Sequence, residues 1–201
     1  VLLLCGSARA EEFPRDRGPG LTLGLAASGS LASALYGENR LGSSFSKGTS
    51  GIGGGGTLTL QLGYYFKESI ALISENQLSL QQISVRNPAL GTSQGLNAFN
   101  SLFTLVVRGH VWDESYLLGG VGLALGYLED VDRAGQWESG LGPGFTVGGG
   151  YEFFRRGSWG LTADFRFAMH VFPASELKIN LLQWTLGIGV HRYWGKWRHA
   201  G

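Results

Sequence analysis

Along eight stretches of this chain, every second residue is apolar and the residues between are small or polar. A period of two is the signature of a β-strand, because successive Cβ atoms point to opposite faces of a sheet. In 20–30, Leu21, Leu23, Leu25 and Ala27 oppose Thr22, Gly24, Ala26 and Ser28. In 54–66, Leu58, Leu60, Leu62 and Tyr64 oppose Thr57, Thr59, Gln61 and Gly63. The pattern returns in 99–111, 116–128, 144–154, 159–170 and 178–194. The stretch 70–84 is the irregular one. Leu72, Leu78 and Leu80 share a face that Ser74 and Asn76 interrupt, which predicts a bulge that shifts the facing.

The two faces say what surrounds such strands. One is Leu, Val, Phe and Trp; the other mixes Gly, Thr, Gln and a few charges. Charged residues are only 15% of the chain, too few for either face to be a water-exposed exterior. The 34 glycines of 201 residues argue against helices, where each costs about 1 kcal/mol relative to alanine. No apolar run reaches the roughly 18 residues of a membrane-spanning helix. Strands with a lipid-facing side must pair every backbone group, and only a closed barrel does that. The reading is therefore all-β: an eight-stranded antiparallel up-and-down transmembrane β-barrel. At eight strands the interior is about filled by side chains, which leaves no room for a wide pore.

The connections alternate as well. Lys67-Glu68-Ser69, Trp112-Asp113-Glu114-Ser115 and Arg155-Arg156-Gly157-Ser158 read as tight turns. The segments 31–53, 85–98, 129–143 and 171–177 read as longer loops on the opposite side. Short periplasmic turns and longer outer loops are the habit of outer-membrane barrels. Tyr64, Tyr65, Phe66, Trp112, Tyr116, Tyr151, Phe153, Phe154, Trp159, Tyr193 and Trp194 gather at the tight-turn end and read as an interfacial aromatic girdle.

At the amino terminus, Val1-Leu2-Leu3-Leu4 precedes Ala8-Arg9-Ala10, a small-residue pattern of the kind cleaved after a secretory signal. The expected organisation is a partial signal peptide over 1–10 and an outer-membrane barrel with a short tail over 11–201. Cys5, the single cysteine, falls in the signal segment, so a disulfide framework and a thiolate metal site are not expected. The net charge of +1 shows no basic stripe, and nucleic acid is not an expected partner.

The run from Tyr116 to Tyr127 (YLLGGVGLALGY), the strand Phe103-Thr104-Leu105-Val106-Val107-Arg108-Gly109, and the terminal Thr185-Leu186-Gly187-Ile188-Gly189-Val190 resemble the OmpA/OmpX-type outer-membrane β-barrel domain family over residues 18–194. The resemblance implies integral residence in a bacterial outer membrane. It also implies outer-membrane lipids and the barrel-assembly machinery as partners, and a surface or envelope protein as a further one.

Candidate chemistry is sparse. Gly51-Ile52-Gly53-Gly54-Gly55-Gly56 has the spacing of a phosphate-binding loop, but a strand follows it where such a loop needs a helix. Arg108, Glu152, Asp164 and Arg166, with Glu75, fall on inward positions and predict an ion-pair network plugging the lumen, because buried charges must be paired. A narrow ion path is the sharper alternative for the same residues. His110 and His191 also point inward near the tight-turn end and His170 near the outer end, so the three cannot share one metal; a two-histidine site with Glu152 is the alternative to ordinary lumen hydrogen bonding. Some small outer-membrane barrels modify lipid A. The deacylase pattern is a His-x-Ser pair with an acid, and His170 is followed by Val171-Phe172 instead. No catalytic, cofactor or metal residue is therefore assigned. The expected role is a non-enzymatic integral barrel, structural or acting by surface contact through its outer loops, with a lipid A deacylase-like enzyme as the alternative. Tyr36, Phe45 and Trp137 are the candidate contact residues, since aromatics dominate binding hot spots.

Overall fold

A computed structural model describes residues 19–39, 50–67, 69–87, 92–112, 114–130, 137–172 and 177–195. Phe45 and residues 1–10 lie outside the described residues, as do the side chains of Tyr36 and Trp137. Eight strands form one closed antiparallel ring in chain order: β1 Gly20–Asn39, β2 Ser50–Lys67, β3 Ile70–Asn87, β4 Thr92–His110, β5 Ser115–Asp130, β6 Trp137–Arg156, β7 Trp159–Phe172 and β8 Leu177–Gly195. β1 closes the ring on β8, from Gly20 opposite Gly195 to Tyr36 opposite Ile179. Closure leaves no edge strand, so the backbone of the wall is paired on both sides.

The alternation read from sequence is the inside–outside alternation of this wall. Thr22, Thr57, Thr59, Gln61, Thr104, Thr146, Thr162, Asp164, Arg166 and Thr185 are buried in the lumen. Leu23, Leu60, Leu105, Val121, Phe165, Leu186 and Ile188 stand exposed on the outside. A polar interior within an apolar exterior inverts the order of a water-soluble barrel and suits a bilayer as solvent.

The outer boundary of that exterior is sharp. Leu80, Phe99 and Tyr127 are register partners across β3, β4 and β5, and so are Gln82, Asn97 and Glu129, one rung further from the tight turns. One step thus changes the outward face from apolar to polar on three adjacent strands. The apolar spans below it on these three strands, 70–80, 99–109 and 117–127, are eleven residues each. About 9–11 residues are what a tilted strand needs to cross the hydrocarbon.

The structure corrects three sequence expectations. The segments 31–53, 85–98 and 129–143 are largely strand, not loop, and of 171–177 the described residues Val171, Phe172 and Leu177 are strand ends. β1 runs to Asn39, and Ser50, Gly51 and Ile52 already pair with Leu35, Ala34 and Ser33. Glycine and serine signal a loop in isolation, but a closed ring offers such residues a hydrogen-bonded neighbour on either side. No bulge breaks β3 near Ser74 and Asn76, for its register with β4 is continuous from Ile70 to Asn87. Both residues simply face outward, and Asn76 accepts a hydrogen bond from Ser101 Oγ at 3.2 Å. The register shifts nearest the tight turns lie at Tyr65/Lys67 and Glu152/Phe154. Finally, Tyr65, Tyr116 and Tyr193 do not join the girdle; they are buried inside. Tyr64, Phe66, Trp112, Tyr151, Phe153, Phe154, Trp159 and Trp194 remain exposed and form it. Gly157, in the β6–β7 turn, has φ of 57°, the left-handed conformation in which glycine carries no steric penalty.

Candidate functional site: a bridged lumen beneath an outer rim

The lumen is built in layers. On the outer side, Ala32, Ala34, Ile83, Leu96, Ala98, Leu102, Ala124, Ala168, Phe172 and Leu181 pack into one buried apolar cluster. At the tight-turn end, Tyr65, Ala71, Ile73, Val106, Tyr116, Leu118 and Tyr193 form a second. Alternation alone did not reveal these layers, because it assigns Leu102, Val106 and Leu118 to the inward face without showing which side chains meet across the lumen.

Polar side chains from five strands close a ring across the lumen. Arg108 on β4 donates through Nη2 to Gln61 Oε1 on β2 at 2.8 Å. Gln61 Nε2 donates to Glu75 Oε2 on β3, and Gln77 Nε2 donates to the other Glu75 oxygen at 2.7 Å. Arg166 on β7 pairs with Glu75 through Nη1 and reaches Asp164 Oδ2 through Nη2 at 3.4 Å. The Tyr116 hydroxyl on β5 donates to Asp164 Oδ1. The Arg108 guanidinium lies 4.3 Å from the centre of the Tyr116 ring, which completes the circuit. Gly150 makes the Tyr116–Asp164 contact reachable, since a Cβ there would strike both the phenol and the carboxylate.

A second brace involves Gln183 on β8. Its Nε2 donates to Thr57 Oγ1 at 2.7 Å and to Ser79 Oγ at 2.9 Å, and those two hydroxyls are 2.9 Å apart. β1 lies between β8 and β2 in the wall, so this side chain spans two strand intervals to Thr57 and three to Ser79 on β3.

The four charges expected to form one network are thus arranged unevenly. Arg166 and Asp164 meet. Arg108 is held by an amide and a ring. Glu152 stands elsewhere, 3.9 Å from Arg155 Nε and 3.4 Å from the Tyr193 hydroxyl. Gln61 and Tyr116 were not singled out as site residues, although each sits on an inward register position. The histidines are dispersed. His110 Nε2 is 3.1 Å from the Tyr65 hydroxyl, His191 stacks on Tyr193, and His170 lies beside Phe172 in the outer layer. Among the described residues no group of three His, Cys, Asp or Glu side chains could hold a metal ion.

Guanidinium–carboxylate pairs within a low-dielectric wall are strong contacts, and desolvating the charges offsets much of the gain. Chemically the belt braces the barrel. On its outer side the wall continues past the polarity boundary: β3 and β4 reach Asn87 and Thr92, β1 reaches Asn39, and β6 begins at Trp137. These extensions form a rim beyond the lipid-facing span. Tyr36 falls on the β1 extension and Trp137 on that of β6, while Phe45 is outside the described residues.

Solved structures share this architecture. The attachment invasion locus protein Ail of Yersinia pestis, crystallised with the heparin analogue sucrose octasulfate, superposes with a TM-score of 0.57 at 10% identity, over 86% of this chain and 99% of that one. Neisserial surface protein A gives 0.51 at 14% identity, covering 86% and 97%. The outer membrane protein OprG of Pseudomonas aeruginosa gives 0.50 at 14% identity, covering 89% and 99%. No protein-family model matches the chain, and no curated protein matches it. The fold is that of the OmpA/OmpX-type eight-stranded outer-membrane barrels.

Proposed function

We propose that this integral outer-membrane barrel is non-enzymatic and works by contact, with its bridged lumen serving as a rigid mount for the outer rim. The observation that carries the reading is the overrun of the wall. A span of eleven residues suffices for the bilayer, yet β1 and β6 each have twenty. The surplus lies on the side away from the tight turns, where surface partners are met. Binding residues are commonly placed on connections held by a stiff scaffold. The ring of Arg108, Gln61, Glu75, Arg166, Asp164 and Tyr116 supplies that stiffness across the lumen. The contact candidates on the rim are Tyr36 and Trp137, with Phe45 on the connection between β1 and β2. The fold likeness to an attachment protein fits this reading. The partners implied are outer-membrane lipids, the assembly machinery that inserts the barrel, and a surface or envelope protein.

The test is deletion of residues 40–49, which leaves both flanking strands whole. The reading expects heat-modifiable migration on gels to persist while adhesion or partner capture at the cell surface falls. Loss of barrel assembly would place the segment in the scaffold and end the loop-contact reading. Regular conductance steps of the intact protein in a planar bilayer would favour a channel. Loss of an acyl chain from lipid A on incubation would favour the enzyme.

A further inference from the structure

Arg192 on β8 faces outward at the tight-turn end of the wall. Its outward neighbours along the strand are Val190 and Trp194, so the cation sits one rung deeper than the last girdle residue. Its guanidinium carbon is 4.8 Å from the centre of the Trp194 ring and 5.2 Å from that of Trp159, its register partner on β7. On the far side of Trp159, in the same row, stands the exposed Arg156 of β6. On the near side Arg192 adjoins Leu23 of β1. The row therefore reads Arg156, Trp159, Arg192, Leu23: two guanidiniums about an indole, against lipid-facing leucine.

A guanidinium at the edge of the hydrocarbon needs a counter-charge, because an isolated ion there is costly. Among the described residues no carboxylate lies within ion-pair range of Arg192 or Arg156. The two rings orient Arg192 but are neutral. What meets this surface at this depth is the headgroup layer of the leaflet on the tight-turn side, and its anionic group is a phosphate diester. Arginine presents a planar fork of donors that matches phosphate oxygens in pairs.

We propose that Arg192, clamped between Trp159 and Trp194 and assisted by Arg156, is a binding site for the phosphate of one phospholipid. The acyl chains of that lipid lie along Leu23 and Val190. The site is independent of any contact made by the outer rim.

Native mass spectrometry of the detergent-solubilised barrel tests this. The probes are phosphatidylglycerol and a diacylglycerol with the same chains and no phosphate. Wild type retains phosphatidylglycerol well above diacylglycerol. Arg192→Gln lowers phosphatidylglycerol retention about tenfold, the scale of one charge-assisted contact. Lys67→Gln, which removes another cation at the same end, leaves it unchanged. Heat-modifiable migration checks that each variant is folded. Arg192→Lys, which restores the charge, binds better than Arg192→Gln. Equal retention of the two probes, wild-type binding by Arg192→Gln, or no recovery in Arg192→Lys overturns the proposal.

Discussion

Arg166 reaches across the lumen from β7 to pair with Glu75 on β3, two strands separated by three others on either side of the ring. Both side chains are almost wholly buried. The same arginine touches Asp164, and the same glutamate accepts from Gln61 and Gln77. One pair of residues thus joins the two halves of the polar belt.

Breaking that pair from one side leaves a buried charge uncompensated. Glu75→Gln or Arg166→Met alone is expected to destabilise the barrel by about 3–5 kcal/mol. The double variant Glu75→Gln with Arg166→Met removes both charges and is expected to cost less than the sum of the singles. Urea unfolding in lipid vesicles, read as a double-mutant cycle, measures the coupling. Additive effects would mean that the two side chains do not interact.

Tyr116 links Arg108 to Asp164 through its hydroxyl and its ring. Tyr116→Phe keeps the ring and loses the hydrogen bond to a carboxylate, so a cost of about 1.5–3 kcal/mol is expected. Tyr116→Leu loses both contacts and should cost more. Unfolding midpoints that rank the two variants the other way would contradict the geometry.

The outward polar residues of β3 offer a test that runs against intuition for a soluble protein. Ser74 is exposed between Leu72 and Asn76 on the lipid side. Ser74→Leu is expected to stabilise the barrel by about 1 kcal/mol in a bilayer, since it adds apolar surface where the solvent is hydrocarbon. A loss of stability in vesicles would indicate that this face of β3 is not in lipid.

Facing can be probed at neighbouring residues of β4. Leu105 points out and is 54% exposed, whereas Thr104 points in and is buried. Leu105→Arg is expected to cost about 2–4 kcal/mol near the bilayer midplane. Thr104→Ser should change stability by only about 0.5 kcal/mol. Comparable small effects at both positions would contradict the assignment.

The period of two made the facing of each strand legible, because it is a local property of the chain. Strand number and the position of the tight turns were legible for the same reason. The outer strand ends were not. Gly51 and Gly53 carry no apolar alternation, and only pairing with β1 and β3 makes them strand. Ser74 and Asn76 misled because the expectation demanded an unbroken apolar face, while the wall carries two small polar groups there, one of which, Asn76, hydrogen-bonds laterally to Ser101. Inward charges could be listed from parity alone. Which of them meet depends on the stagger of strands far apart in sequence, such as β3 and β7, and no local pattern encodes that distance. The outer-layer packing of Phe172 with Leu102 and Leu181 was hidden for the same reason.

The central claim is that this chain is a barrel with lipid outside and a bridged polar lumen inside. Spin labels placed singly at 103 through 108, in a Cys5→Ser background and reconstituted into vesicles, test it most directly. The account predicts high accessibility to oxygen at 103, 105 and 107, where Phe103, Leu105 and Val107 are about half exposed. It predicts low accessibility to both oxygen and a water-soluble nickel reagent at 104, 106 and 108, the buried positions of Thr104, Val106 and Arg108. Reversed parity, no alternation, or free access of the nickel reagent to the inward positions would contradict it.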